Sequence, residues 1–320
     1  MLKLLLVYLS QAQWARNIVQ RWGFAKRTAA RFVAGETLDE AIAVVRKLHQ
    51  KGICTTLDHL GENVTSQENA RQAADEIVHI INRLSSDGVC SGISVKLSQI
   101  GLVVDPVLCE ENLLRIMEKA RQEEIYIRID MEDAELTQLT LDLFRKVRDG
   151  GYAECVGIVI QASLYRSEQD VKDLLAKNSK IRLCKGAYKE PRNVAFPRKA
   201  DVDKNFDRIT RLLLDRSLEI GSKISDSDGI PPLPAIATHD QQRIENACKY
   251  AERIGLEKPG LEFQMLYGIR EDLQTALVKE EYPVRTYVPY GTEWYPYFVR
   301  RLAERPANLW FFLSNLIPRR

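Results

Sequence analysis

Ile125-Tyr126-Ile127-Arg128-Ile129-Asp130, then an amphipathic run over 133–148, then Val156-Gly157-Ile158-Val159-Ile160-Gln161, is the stretch whose reading decides the fold. A short β-branched run, a long run of helical periodicity and a second short run form the pattern of two parallel strands joined by a crossover helix. The alternation continues in both directions. Strands are predicted over 54–57, 92–97, 125–130, 156–161, 181–185, 235–238, 261–265 and 284–288. Helix-length runs alternate with them over 38–50, 66–84, 109–123, 133–148, 167–176, 201–220, 240–254 and 270–280, and a ninth follows over 294–302. Eight strands suit a closed parallel barrel, so the chain is expected to be α/β, a (β/α)8 barrel of TIM type. Ser66-Gln67-Glu68-Asn69 and Ser167-Glu168-Gln169-Asp170 are expected helix starts, each a hydroxyl followed by acids that suit the positive end of a helix. No low-complexity linker divides the chain, and the one break in composition, Ser225-Asp226-Ser227-Asp228-Gly229-Ile230-Pro231-Pro232, reads as a loop after the sixth helix. One barrel domain over 35–320 is expected, preceded by a helical arm over 1–34.

The 320 residues are 45% hydrophobic and 28% charged, enough apolar material for one sizeable core. Forty-six Lys and Arg oppose 44 Asp and Glu, and the resulting charge of +2 gives no electrostatic case for a nucleic-acid partner. The six cysteines show no C-x-x-C pair and read as reduced thiols; the four histidines never fall at i, i+4, so no metal site is expected. The apolar start over 2–9 is far short of the roughly 20 residues that span a bilayer, and no good cleavage site follows it. The chain is expected to be unprocessed and cytoplasmic.

Active sites of such barrels gather at the carboxyl ends of the strands, so polar residues that close apolar strands are the first candidates. Here they are Lys96 and Ser98 on the second strand, Asp130, Met131 and Glu132 on the third, Gln161 on the fourth, and Arg182 with Lys185-Gly186-Ala187 on the fifth. Thr238-His239 close the sixth strand and Tyr287 lies in the eighth. Any one such charge reads equally well as a solvated residue where strand meets loop, but their recurrence on strand after strand does not. Lys96 and Asp130, on adjacent strands, are expected to pair inside the mouth. Arg300-Arg301 follow the aromatic run Trp294-Tyr295-Pro296-Tyr297-Phe298. Consecutive helical residues point about 100° apart, so the pair reads either as a solvated face or as a clamp for a carboxylate.

These motifs occur in an order that resembles the monofunctional bacterial proline dehydrogenases. They are Ser94-Val95-Lys96-Leu97-Ser98, Ile129-Asp130-Met131-Glu132, Ile160-Gln161-Ala162, Arg182-Leu183-Cys184-Lys185-Gly186-Ala187-Tyr188, Ala237-Thr238-His239, Phe263-Gln264-Met265-Leu266-Tyr267-Gly268, Tyr287-Val288-Pro289-Tyr290-Gly291 and Val299-Arg300-Arg301-Leu302-Ala303-Glu304. The resemblance runs from about Leu57 to Asn308. It implies a distorted barrel whose last helix lies above the mouth, noncovalent FAD, and oxidation of L-proline to Δ1-pyrroline-5-carboxylate. By that resemblance Arg300 and Arg301 take the substrate carboxylate, Lys96, Asp130, Tyr287 and Leu266 complete the pocket, and Arg182 lies near flavin N5. Asp130 is expected to organise the Arg and Lys cations rather than to take the amine proton. Met131, Gln161, Lys185, Gly186, Ala187, Thr238 and His239 contact FAD.

Cys184 stands where relatives often carry an aliphatic residue, a volume-tolerant change. No aldehyde dehydrogenase extension is present in the sequence, so oxidation onward to glutamate is expected from another enzyme. The resemblance also implies a membrane quinone as electron acceptor. The amphipathic arm, with Leu4, Leu5, Tyr8 and Leu9 near Lys3, reads either as a peripheral contact with the inner membrane face or as a helix packed on the barrel or on another subunit. Oligomeric state is left open. Two rival readings stand beside this one. A methylenetetrahydrofolate reductase-like FAD barrel would need room for a pterin and a nicotinamide, whereas the double Arg favours a small amino acid. A non-catalytic binding barrel would have no need of so many polar strand ends.

Overall fold

A computed structural model describes residues 29–61, 64–225 and 229–304, with side chains as far as Arg301. Eight parallel strands close a barrel in sequence order. They are β1 Cys54–His59, β2 Gly92–Val95, β3 Ile127–Ile129, β4 Val156–Gln161, β5 Lys180–Cys184, β6 Pro234–Ala237, β7 Glu262–Leu266 and β8 Val284–Tyr290. The circuit closes where β1 pairs with β8, Cys54 opposite Arg285 through His59 opposite Tyr290. All eight strands fall within a few residues of their predicted places.

The helices are α1 Leu38–His49, α2 Gln67–Ser86, α3 Pro106–Gln122, α4 Thr137–Val147, α5 Ser167–Leu175, α6 Lys199–Ile220, α7 Gln241–Ile254, α8 Glu271–Lys279 and α9 Trp294–Glu304. The first eight each turn an apolar stripe to the sheet, such as Ala41, Ile42, Val45 and Leu48 of α1 against Leu57 of β1. Start chemistry holds where a side chain reaches a free N–H: Thr37 forms a full capping box with Glu40, Ser66 accepts from the amide of Asn69, and Asp105 caps α3 just before Pro106. Ser167 departs from expectation. Arg166 holds the cap position without a side-chain bond, and the Ser167 hydroxyl turns inward to the carbonyls of Gln161 and Leu164. The end of β4 there competes for the hydroxyl and wins.

In a regular barrel the last helix would lie beside β8 and β1. Here α1, which precedes β1, occupies that slot, and α9 is displaced. Its residues Trp294, Tyr295, Tyr297, Phe298 and Val299 join Phe32, Val33, Leu60 and Ile269 in an apolar cluster separate from the main core. Leu60 and Ile269 follow β1 and β7, so this cluster seats α9 across the carboxyl ends of the strands. The arm expected over 1–34 lies almost wholly outside the described residues; its end, from Ala29 to Val33, packs into this cluster.

Candidate functional site

Residues two apart on a strand share a face, and here the inward face is polar. Ordinary barrels fill this space with Val, Ile and Leu. This one carries Ser94, Arg128, Asp130, Arg182, Glu262, Gln264, Arg285 and Tyr287, all buried or nearly so. Such groups need partners, and apart from the Gln264–Glu262 bond within β7 they find them across the barrel.

The upper layer is held by two carboxylates. Arg182 donates to Asp130 at 2.9 Å and to the Ser94 hydroxyl at 3.2 Å, and its guanidinium lies 5.4 Å from the centre of the Tyr287 ring. Ser94 donates to the same Asp130 oxygen, while the Tyr287 hydroxyl donates to the other at 2.9 Å. Lys96 lies 3.9 Å from Asp130, a looser pair than expected, because a carboxylate absent from the sequence-based candidates draws it away: its ammonium donates to Asp58 at 2.8 Å and to Tyr287 at 3.3 Å. Asp58 lies on β1 one residue past the predicted strand end, so the rule of polar strand ends would have found it had the strand been drawn longer. Burial pushes its carboxyl above the usual range, against the pull of Lys96. Burial, with Asp130 and Asp58 beside it, also holds the Tyr287 phenol well above its ordinary value, so Tyr287 serves as a donor.

A second group forms a rim along the ends of β4, β5 and β6. Gln161 donates to the Glu132 carbonyl at 2.6 Å, and the Glu132 carboxylate accepts from the Ser98 amide at 2.9 Å. Gly186 has φ +104°, and a Cβ there would press on the Ser163 hydroxyl, so this backbone needs glycine. His239 accepts the Leu266 amide on Nε2 at 3.0 Å, which places the ring proton on Nδ1. Lys185 is bracketed by Asp203 and Asp240, each at 2.6 Å. Burial would raise both carboxyls, but their bonds to Lys185 outweigh it and hold them below the ordinary range. Met131 and Thr238 are buried, Leu266 is half-buried against the α9 cluster, and Ala187 is exposed. The two arginines lie half-buried on α9, Arg301 stacked 5.1 Å from the Tyr297 ring centre.

Beneath the upper layer, Gln264 accepts from Arg182 at 2.5 Å and donates to Glu262 at 2.5 Å. Glu262 in turn pairs with Arg285 at 3.0 Å with neither side chain more than 3% exposed. None of these three was singled out from sequence; Glu262 and Arg285 lie at strand starts, where the search for polar strand ends does not look.

A parallel (β/α)8 barrel with cations and carboxylates crossed inside its mouth defines an enzyme-type site. The comparisons make it particular. Residues 41–312 match the family model described as proline dehydrogenase. The chain is 40% identical over 310 residues to proline dehydrogenase 2 of Bacillus subtilis (strain 168), covering 97% of each, and 40% identical over 292 residues to proline dehydrogenase of Deinococcus radiodurans, covering 90% of each. Among solved structures, proline utilization A from Bdellovibrio bacteriovorus superposes with a TM-score of 0.78 at 26% identity; the match covers 87% of this chain and 32% of that one, so this chain spans about a third of its length. The chain belongs to the proline dehydrogenase family, which decides against the folate-reductase and binding-barrel readings.

Proposed function

We propose that this chain oxidises L-proline to Δ1-pyrroline-5-carboxylate with noncovalent FAD. The observation that carries the reading is the upper layer of Lys96, Asp130, Arg182 and Tyr287 beneath a displaced helix bearing Arg300 and Arg301, in a chain of this family. Proline is a small zwitterion. Arg300 and Arg301 bind its carboxylate, Tyr287 and Leu266 bound its ring, and Asp130 holds Arg182 and Lys96 in place at the reacting end.

The rim suits a dinucleotide. Gly186 leaves its backbone bare where a side chain would intrude, the Gln161 amide offers an edge to a pyrimidine, and Met131, Ala187, Thr238 and His239 supply apolar contact and polar atoms beside it. Lys185 takes the pyrophosphate side in this reading, its charge already shared with Asp203 and Asp240. When bound, FAD supplies the acceptor for the hydride lost from the ring carbon beside nitrogen. Arg182 offers a fixed positive charge for the reduced cofactor.

Residues 35–320 form the catalytic unit in this reading and 1–34 an arm. Electrons pass on to a membrane quinone. No described helix is long and apolar enough to cross a bilayer, so access to a quinone falls to peripheral contact, with the arm as its bearer and the cytoplasm as its compartment.

Anaerobic titration of the purified protein with L-proline tests the reading through the visible flavin band. Proline is expected to bleach it, and Arg300→Ala to weaken the response about 100-fold or more through loss of a charged carboxylate contact. A flavin band indifferent to proline, or a colourless protein that takes up no added FAD, refutes it.

A further inference from the structure

A secondary amine gives up hydride only from its lone pair, so the ammonium proton of proline has to leave first. The residues that could take it are Asp58, Lys96, Asp130 and Tyr287. Tyr287 is held protonated and already donates to Asp130. Asp130 already accepts three hydrogen bonds, from Arg182 and Ser94 on one oxygen and from Tyr287 on the other, so its charge is the better satisfied of the two carboxylates.

Asp58 differs on each count. Its side chain is 1% exposed, one oxygen meets Lys96 at 2.8 Å, the Tyr287 hydroxyl lies close enough to the carboxyl to stabilise its charge, and the second oxygen makes no hydrogen bond of its own among the described residues. A buried carboxylate with one oxygen bare is a costly anion and a ready proton acceptor. It cannot meet substrate directly, but Lys96, whose side chain is 11% exposed, stands between it and the mouth. On the reading above that proline binds in that mouth, we infer that Asp58 is the terminal acceptor of the proline amine proton, reached through Lys96.

The step balances within the protein. An N–H bond of Lys96 breaks first as its proton joins Asp58 Oδ1 across their 2.8 Å hydrogen bond, which leaves Lys96 a neutral amine; the substrate N–H bond then breaks as its proton joins the lone pair of Lys96 Nζ. Lys96 ends as an ammonium, Asp58 as a neutral carboxyl, and the substrate nitrogen regains its lone pair. The positive charge of Arg182 favours the transfer by opposing the substrate ammonium, and burial raises the proton affinity of the Asp58 carboxyl that receives the proton. The other groups facing Asp58 are Asp130 and Tyr287, with His59 and Tyr290 beside it; Asp130 raises its proton affinity further.

The test is Asp58→Asn in the FAD-loaded enzyme, with kcat/KM followed against pH. At neutral pH the variant is expected to lose roughly 100-fold, in the range of general-base removal, and to regain about tenfold per pH unit upward as free amine replaces ammonium. trans-4-Fluoro-L-proline, whose amine is less basic, should recover much of the loss in the variant and little in the parent. Inhibition by cyclopentanecarboxylate, which has no amine, should stay within about threefold of the parent, since carboxylate binding does not use Asp58. A variant whose pH profile keeps the parent shape, or which gains nothing from the fluoro substrate, overturns the inference. If the variant does not fold, infrared difference spectra of the unmutated enzyme on anaerobic proline addition decide instead: a new protonated-carboxyl band supports the proposal, and its absence with full flavin bleaching overturns it while leaving proline oxidation intact.

Discussion

The barrel holds two ionic layers, two residues apart where both fall on one strand, as Arg285 and Tyr287 do on β8, and they are built to opposite ends. In the upper layer Lys96, Asp130 and Arg182 share partners, and their side chains are 7–12% exposed toward the mouth. In the lower one Arg285 and Glu262 are sealed at 3% and 0%, and Arg285 also donates to the backbone carbonyls of Thr55 and Gly229. Arg128, fully buried in β3, donates to the carbonyls of Ile158 and Lys180, and burial brings its guanidinium down to about 10. The floor thus spends its cations on carbonyls and one carboxylate, whereas the mouth keeps its cations where a ligand can reach them. Gln264 joins the two, since Arg182 needs its carbonyl oxygen and Glu262 its amide hydrogens, which fixes its orientation from both sides.

The largest expected effect separates the layers. Arg285→Met strands Glu262 in the barrel without its charge partner, and loss of one member of a buried pair costs about 3–5 kcal/mol. Urea unfolding should show that loss, while the fraction that stays folded keeps most of its turnover. Asp130→Asn should do the reverse, costing less stability, about 1.5–3 kcal/mol, because the amide still offers Arg182 an oxygen, but lowering turnover by about 100-fold. Equal stability losses in the two variants would mean that the layers are one structural unit.

Next in size is Gly186→Ala, which asks whether the rim belongs with the mouth. The residue holds φ +104°, and a methyl group would meet Ser163 and Gln161. Such backbone strain costs about 1–3 kcal/mol. The strain should lower the unfolding midpoint in any case; if the rim cradles FAD, flavin affinity should fall about 10- to 100-fold as well by fluorescence titration. Unchanged flavin affinity with a lowered midpoint would place Gly186 in the scaffold.

The barrel itself was legible because parallel strands buried on both sides leave short β-branched runs between periodic helices, and nothing in this chain interrupts that rhythm. Displacement of α9 was legible only through resemblance. Its physical cause, the filling of the β8–β1 slot by α1, depends on tertiary packing that no local pattern encodes. Of the site, Lys96 and Asp130 were found because they close strands, Arg182 and Tyr287 because they are polar residues inside strand runs that lead into polar ends, and Asp58 was missed because β1 runs two residues further than its β-branched start suggests. Arg128 and Arg182 show the limit of that reading. Each is an inward arginine inside an apolar strand, yet one is bound to backbone in the floor and the other to Asp130 at the mouth, and only depth along the barrel tells them apart.

Lys185 gives the smallest effect and the finest test, because it is ionic like both layers yet belongs to neither. Its partners Asp203 and Asp240 have carboxyls held below the ordinary range, chiefly by Lys185 once burial is overcome. A carboxyl lowered by folding contributes stability above its unfolded value, near pH 4, and that contribution is lost as pH falls through the lowered folded value. Lys185→Met should therefore cost about 1 kcal/mol at neutral pH, as expected of a partly exposed pair, and the gap to the parent should close below about pH 4. Lys199, 2.5 Å from Asp203, keeps part of the contribution in the variant. Unfolding curves of both proteins between neutral and acid pH measure that gap. A gap of about 3 kcal/mol or more would place Lys185 with the sealed floor instead, because only a charge that water cannot reach costs that much to strand.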